Sequence, residues 1–363
     1  MSEIMSGHRD GGRHLIRVAV FGDRFVRTGI LEEALRRALS PIAGELSLAS
    51  IELGYPDEPA QHSAEIREFM GAEEDVVALA ADAEIILSHM PPLTRAVLGR
   101  LPRLRVIGCC RTEAVNINVE AATERGIPIM IAPGRNARAV AEFCVGLIIA
   151  ETRNLARGHA ALAQGEWRTD LYLYDRAPRE LHGQRVGLIG FGHIGSLMPG
   201  LLRPFGVRVL AYDPYVADEV FAEQGAERVR EMDVLLAESD IVSLHARVTP
   251  ETRGFIGEPQ FRRMKRGAYF INTARGPMVD YDALYRVLAD GHLAGAGLET
   301  FAMEPPPPDW SLLRLPNVTL TPHIAGCSKE SVHLAAELVC ADITRWYVGQ
   351  IPINCANPAT LGR

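Results

Sequence analysis

The chain has 363 residues, 47% of them hydrophobic and 23% charged, with a formal net charge of -7. That length suits two domains of ordinary size, and the mildly acidic balance argues against nucleic acid or a membrane surface as the main partner. The longest apolar run, Phe143 to Ala150, falls far short of the ~20 residues a membrane span needs, and the polar, Gly-rich first fourteen residues lack an apolar signal-peptide core. A cytoplasmic protein with a disordered tail over residues 1–14 is the expectation. Six cysteines (Cys109, Cys110, Cys144, Cys327, Cys340 and Cys355) show neither CxxC nor metal-ligand spacing, so reduced thiols and no metal are expected.

Leu15 to Phe21 reads as a strand and Ile30 to Leu39 as a helix. Leu46 to Leu53 (strand), Asp75 to Ala81 (helix) and Glu84 to Ser88 (strand) continue the alternation. A short helix is expected to open at Pro91-Pro92 and run to about Leu98. A strand over Leu104 to Cys109, a helix from Val119 to Arg125 and a strand over Ile127 to Ile131 follow. Strands alternating with helices imply a parallel sheet covered on both faces. This region has only the single glycine of Phe21-Gly22-Asp23 after its first strand, so it need not bind nucleotide. Ala137 to Leu155, extending less surely to Gln164, has the length and apolar pattern of a helix buried between domains.

A second α/β series begins at Arg185-Val186-Gly187-Leu188-Ile189. It continues through Gly190-Phe191-Gly192-His193-Ile194-Gly195 and a helical segment to about Phe205, then Val207 to Tyr212, closed by Asp213. In a GxGxxG turn the first glycine permits the tight exit from the strand. The second lets the backbone approach a pyrophosphate, and the third lets helix and strand pack closely. An acid about twenty residues on can take both hydroxyls of the adenine-side ribose and repel a 2'-phosphate. Strand, turn, helix, strand and acid are all in register here, so the cofactor read from the pattern is NAD rather than NADP. Further strands are expected at Ile241 to Leu244, Ala268 to Asn272, Ala294 to Leu298 and Val318 to Leu320. A stiff loop is expected at residues 305–308, and a final helix from Lys329 to Tyr347 is long enough to return to the first domain.

Three segments place polar groups just past strands, where an open parallel sheet has its ligand crevice. They are Arg275 in Asn272-Thr273-Ala274-Arg275-Gly276, Glu299 and Glu304 after Leu298, and His323 after Thr321-Pro322. Singly, each has an ordinary structural explanation: a surface salt bridge, a solvated loop acid, a capping histidine. Together at one sheet edge they make a chemical constellation. An imidazole backed by a carboxylate can give or take a proton near neutral pH. A guanidinium can clamp a carboxylate with two bonds.

The blocks VNINVEAATERGIPI, PGRNARAVAEF, GQRVGLIGFGHIG, INTARGPMVDYDAL, HLAGAGLETFAMEPPP and TPHIAG, in that order, resemble the D-isomer-specific 2-hydroxyacid dehydrogenases over roughly Val106 to Asn357. The resemblance implies two Rossmann-like open parallel-sheet domains with the active site in the cleft between them. Residues 15–135 plus 327–363 would form a flavodoxin-like substrate domain, and 136–326 the NAD-binding domain. By position, Arg275 would bind the substrate carboxylate, His323 would be the acid/base and Glu304 its partner. His193 and Ile194 would lie at the pyrophosphate beside Gly190, Gly192 and Gly195. Ala246 and Arg247 would line the adenosine side, with Thr252, Thr273 and Ala274 near the cofactor and Arg275 and His323 bordering it. Glu299 stands where the family usually has Asp beside the nicotinamide amide. Arg111, Thr112 and Glu113 would meet the substrate, although Thr112 and Glu113 fall where many members have glycines. The long Ala137 to Gln164 segment resembles the family's dimerisation region, and a homodimer acting on a small 2-hydroxyacid or 2-ketoacid is implied. Hydroxypyruvate, glyoxylate or a phosphoglycerate-like acid fits, and no regulatory domain is expected after Asn357. Two alternatives share the fold: a phosphite dehydrogenase-like enzyme, and an NAD-sensing corepressor-like binding protein.

Overall fold

A computed structural model describes residues 15–362, so the tail expected over residues 1–14 lies outside the described residues. The elements run β1 (Leu15–Asp23), α1 (Thr28–Ala43), β2 (Glu45–Leu53), α2 (Glu73–Ala80), β3 (Ile85–Ser88), α3 (Arg95–Gly99), β4 (Val106–Cys109), α4 (Val119–Glu124), β5 (Ile129–Met130), α5 (Ala137–Thr152) and α6 (Leu155–Ala163). They continue with β6 (Arg185–Ile189), α7 (Met198–Leu202), β7 (Arg208–Tyr212), α8 (Asp218–Gln224), β8 (Glu227–Arg228), α9 (Met232–Glu238), β9 (Ile241–Leu244), α10 (Glu258–Arg263), β10 (Tyr269–Asn272), α11 (Tyr281–Ala289), β11 (Gly295–Leu298), β12 (Val318–Leu320) and α12 (Lys329–Tyr347). The chain forms two compact units. One runs through Arg135 and resumes at Ser328, and the other is Asn136–Cys327.

In the first unit, β1 to β5 form a parallel sheet in the order β2-β1-β3-β4-β5. That is a flavodoxin-like order, and it reverses direction between β1 and β3. Alternate residues of β1 feed two cores. Val18 and Val20 join Leu31, Leu35 and Leu39 of α1 and Ala336, Val339 and Ile343 of α12, while Ala19 and Phe21 join Val97, Leu98 and Ile107. The helix expected at Pro91 instead starts at Arg95. The Thr94 hydroxyl accepts from Val97 N at 3.2 Å, and the Pro91 carbonyl is held at 2.8 Å by Asn116 Nδ2.

The second unit has seven parallel strands in the order β12-β11-β10-β9-β6-β7-β8. Both faces of this sheet are buried. Val242, Leu244, Phe270 and Leu298 enter one core, while Val186, Leu188, Ile241 and Ile271 enter the other with Cys144 and Leu147 of α5. The order reverses between β6 and β9, so the glycine turn after β6 lies at the switch point where open sheets bind ligands. The single helix expected from Ala137 toward Gln164 is two helices, because Asn154 adopts a left-handed φ of 60° between them. The Arg157 guanidinium turns back to Asn154 Oδ1 and to the buried Glu151 carboxylate, closing that corner. Among the described residues no helix is long and apolar enough to cross a membrane, no cluster of His, Cys, Asp and Glu could hold a metal ion, and all six cysteines are free thiols.

Candidate active site

The glycine turn is built from three different constraints. Gly190 leaves β6 at a φ of 97°, and a methyl group on it would meet Ala246 N at 2.6 Å. A methyl on Gly195 would collide with the carbonyl oxygen of Gly190. On Gly192 a methyl would meet nothing within 4 Å, and both Gly192 and His193 are exposed. The outer glycines therefore close the turn while the middle one keeps its backbone open, which is the surface a pyrophosphate needs. Phe191 points inward and stacks on Phe221 at 4.6 Å, anchoring the turn in the core. Asp213, at the end of β7, accepts from Phe191 N and from Tyr215 N at 2.9 Å each, so its carboxylate is fixed beside the turn. These residues fit a dinucleotide.

The neighbouring loops complete the same sheet edge. After β9, Ala246 is half-buried and Arg247 exposed. The Thr252 hydroxyl donates to the Arg247 carbonyl at 2.6 Å and accepts from Thr249 N at 2.7 Å, so Thr252 shapes this loop. Thr273 and Ala274 follow β10 and are buried. Sequence reasoning missed His245, which follows the apolar β9 directly. Its Nε2 lies 2.9 Å from the Ser243 hydroxyl, its Nδ1 is sealed without a partner, and burial pushes its pKa down to about 4. It adds no charge to the glycine turn at neutral pH. A histidine directly after a predicted inner strand was the available signal.

Arg275, Glu304 and His323 meet through backbone contacts that no local pattern announces. Asn272 brackets the turn after β10, with Oδ1 accepting from Ala274 N at 3.0 Å and Nδ2 donating to the Tyr281 hydroxyl at 3.2 Å. Tyr281 in turn donates to the Thr300 carbonyl at 2.5 Å. Gly276 lies so close to the Phe301 carbonyl that a methyl there would collide with it. The Arg275 turn thus rests on the segment leading to Glu304, with the guanidinium exposed and within electrostatic reach of Glu304.

Glu304 accepts from Phe301 N at 2.9 Å through Oε1, and its Oε2 lies 2.6 Å from His323 Nδ1. Burial works against ionising Glu304. The His323 bond and charge, the Phe301 amide and the Arg275 guanidinium outweigh it and hold the carboxyl below its ordinary range. With Nδ1 donating to Glu304, His323 Nε2 has no hydrogen-bond partner among the described residues, and the side chain is 44% exposed.

His323 has a φ of 53°, a left-handed conformation that costs a histidine on the order of 1 kcal/mol. Glu299 pins it there. The His323 amide donates to the Glu299 carbonyl at 3.1 Å, and the fully buried Glu299 carboxylate takes the Thr321 hydroxyl and, at 2.5 Å, the Ala325 amide. Both of its oxygens are therefore engaged within the chain.

Arg111, Thr112 and Glu113 lie at the carboxyl edge of the first unit's sheet, after β4. The Arg111 guanidinium pairs with Glu68 and its carbonyl accepts from Ala132 N at 2.8 Å. Thr112 and Glu113 are exposed, and the Glu113 side chain makes no hydrogen bond or ion pair among the described residues.

Residues 145–325 match the family described as D-isomer specific 2-hydroxyacid dehydrogenase, NAD binding domain. The chain is 36% identical over 283 residues to the glyoxylate reductase of Korarchaeum cryptofilum, an alignment covering 78% of this chain and 85% of that protein. This chain belongs to the D-isomer-specific 2-hydroxyacid dehydrogenase family. The D-3-phosphoglycerate dehydrogenase of Methanocaldococcus jannaschii is 35% identical over 286 residues, 78% of this chain but 54% of that longer protein. Among solved structures, the NAD-complexed D-isomer specific 2-hydroxyacid dehydrogenase of Lactobacillus delbrueckii ssp. bulgaricus superposes with a TM-score of 0.76 at 25% identity, covering 93% of this chain and 99% of that one. The dehydrogenase is thus an NAD-dependent oxidoreductase with two Rossmann-like sheets, and the comparisons favour neither the phosphite enzyme nor the corepressor.

Proposed function

We propose that the dehydrogenase interconverts a D-2-hydroxyacid and its 2-ketoacid, with Arg275, Glu304 and His323 as its working groups. The observation that carries this reading is the His323–Glu304 pair at 2.6 Å, which leaves Nε2 open, with the exposed Arg275 guanidinium within electrostatic reach of Glu304. NAD, when bound, supplies or accepts the hydride at C2. The chain's part begins with Arg275, whose planar fork holds the substrate carboxylate with two bonds and fixes the face presented. In reduction His323 gives the proton on Nε2 to the C2 oxygen, and in oxidation the neutral ring takes one from the hydroxyl. Glu304, ionised throughout the working range, stabilises the charged ring and orients it through Nδ1.

Gly190, Gly192, His193, Ile194 and Gly195 receive the pyrophosphate, and Asp213 takes the ribose hydroxyls and disfavours a 2'-phosphate. Ala246, Arg247, Thr252, Thr273 and Ala274 line the remaining cofactor surface. Glu299 lies beside the nicotinamide amide in this reading, and it also holds the loop that bears His323. The first unit is the substrate domain, with Arg111, Thr112 and Glu113 as its substrate-binding residues, and the second unit is the NAD domain. A cytoplasmic setting belongs to the same reading, and the six free thiols among the described residues are compatible with it.

The assay is loss of NADH absorbance with a panel of 2-ketoacids, run beside NADPH. Reduction of at least one member, with NADH well ahead of NADPH, is expected. Failure to reduce any of them while NADH still binds would sink the catalytic reading.

A homodimer is part of the same reading. Trp167, Tyr172 and Tyr174 are 77%, 95% and 93% exposed on a segment pinned by Arg168 and Arg176 to Asp170, and Leu155 and Leu162 are exposed nearby in sequence. Such apolar exposure is what a partner subunit covers. Sedimentation at micromolar concentration should give twice the 39.7 kDa chain mass, and a monomer alone would refute it.

A further inference from the structure

The second unit carries a cationic cleft at the end of its sheet away from the glycine turn. Gln184, Asp240, Ala268, Ala294 and Asn317 directly precede β6, β9, β10, β11 and β12, and all five line it. The facing wall is formed by residues between Arg168 and Arg179. The space between them is about 690 Å³, within the ~300–1,000 Å³ of small-molecule sites. Open parallel sheets bind their ligands beyond the carboxyl ends of the strands. The catalytic crevice therefore does not account for a cleft at the amino ends.

The charge around this cleft does not balance. Arg157 is held by the buried Glu151 carboxylate and by the Pro316 carbonyl, at 2.5 Å. Arg168 and Arg176 share one carboxylate, Asp170, which takes Arg168 Nε at 2.6 Å and Nη2 at 2.8 Å and Arg176 Nη1 at 2.6 Å. Asp240 is shared in the same way, between Lys265 Nζ at 2.9 Å and Arg179 at 3.9 Å, and it also accepts from Arg185 N at 2.8 Å. The Arg266 guanidinium reaches only a carbonyl, that of Gly291 at 3.4 Å. With Asp175 included, these five cations face three carboxylates, an excess of two positive charges in a chain of net charge -7. Glu166, exposed and 3.6 Å from Arg168, offsets little of this.

Ion pairs that only pinned the segment to the sheet would need one cation for each carboxylate. Surplus like charge around a cleft repels itself, and it focuses its field on the space inside. Tyr269 adds a neutral donor to the same wall. Its hydroxyl has no hydrogen-bond partner among the described residues, and burial, with the Glu151 carboxylate nearby, pushes its pKa up, so it keeps its proton. Guanidiniums, an ammonium and a phenol together present donors and positive charge, whose complement is an anion with several oxygens.

We propose that this cleft binds a small polyanion, a molecule with two or more phosphoryl or carboxylate groups, bridging Arg179 on the segment to Lys265 and Arg266 on the sheet edge. Bound there, it ties the segment bearing Tyr172 and Tyr174 to the sheet. The site is separate from the glycine turn, and its test reads binding heat instead of turnover, so it stands or falls apart from the catalytic reading.

Tripolyphosphate and citrate are the probes, titrated calorimetrically into the full chain saturated with NADH at about 0.15 M salt. At least one should bind at one site per chain and raise the thermal midpoint. Tripolyphosphate alone would mark a phosphoryl ligand, citrate alone a polycarboxylate, and both the shared chemistry. Arg179→Gln and Arg266→Gln remove the two cations least bonded within the protein, so NADH affinity and the ligand-free midpoint should stay near wild type. Each should raise the polyanion Kd by about tenfold, the loss of one charge-assisted hydrogen bond. Asp175→Asn removes a carboxylate from the wall and should tighten binding by about threefold, a gain that a damaged fold cannot imitate. Arg36→Gln, at an exposed arginine of the first unit, should change nothing. Absence of binding by both probes at millimolar concentration would overturn the proposal. Binding that survives loss of both Arg179 and Arg266, that weakens in Asp175→Asn, or that Arg36→Gln weakens as much would do the same, because the anions would then be answering charge elsewhere.

Discussion

His323→Asn should lower kcat for 2-ketoacid reduction by about a thousandfold, within the range measured for removing a general acid or base. Asparagine is the sharper probe than alanine for two reasons. It tolerates the left-handed backbone that His323 adopts at a φ of 53°, so strain does not enter the comparison. Its side-chain N–H can also replace Nδ1 as the donor to Glu304, leaving Nε2 as the one chemical group removed. The side chain is 44% exposed, so no core contact is lost and NADH affinity should stay within about twofold of wild type. Glu304→Gln should cost less, about tenfold, because the proton carrier remains and only the charge behind it goes. Stopped-flow single turnover with NADH and saturating ketoacid checks both. If His323→Asn keeps more than about a tenth of the wild-type rate, the proton comes from elsewhere and the assignment of His323 is wrong.

How much of this could be read from residues alone depended on the range of the contacts involved. The turn from Gly190 to Gly195 and Asp213 was legible because strand, turn and acid follow one another in sequence. The parallel strands other than β8 were legible for the same reason, as short apolar runs at α/β spacing, whereas β8 is the two-residue charged pair Glu227–Arg228. Helices α8 to α11 were not singled out, since α8, α9 and α10 span only seven, seven and six residues and give little periodicity to read. The break at Asn154 depends on Arg157 turning back to a glutamate inside an apolar helix, which periodicity alone gives no reason to expect. Glu299 shows the limit most clearly. Its position after a strand marked it as a site residue, and the resemblance placed it at the nicotinamide. Its carboxylate also accepts from Thr321 and Ala325, more than twenty residues away in sequence, and so supports the loop bearing His323, a role that nothing local announces. The buried hydrogen bond between Asp23 and His89, 66 residues apart, was passed over because nothing in either segment announces the other.

Arg275→Ala should reduce kcat/KM for any 2-ketoacid by about a thousandfold or more, since leaving a desolvated carboxylate without its charged partner costs on the order of 3–5 kcal/mol. Arg275→Lys should recover only a minor part, because a point charge cannot reproduce a planar two-bond clamp. The guanidinium is exposed and among the described residues bonds only to the Ala274 carbonyl, at 2.8 Å, so truncating it should leave the thermal midpoint nearly unchanged. Gly276→Ala tests the scaffold instead of the chemistry. Its methyl group would collide with the Phe301 carbonyl, which forces the Arg275 turn away from the segment carrying Glu304. Added guanidinium ion distinguishes the two variants. It can enter the space vacated in Arg275→Ala and restore part of the rate, whereas in Gly276→Ala the native guanidinium is present but displaced, and free guanidinium should restore nothing. Rescue of both variants, or of neither, would mean that Arg275 does not act by clamping the substrate carboxylate. Its place beside Glu304 would then serve only to keep that carboxyl ionised next to His323.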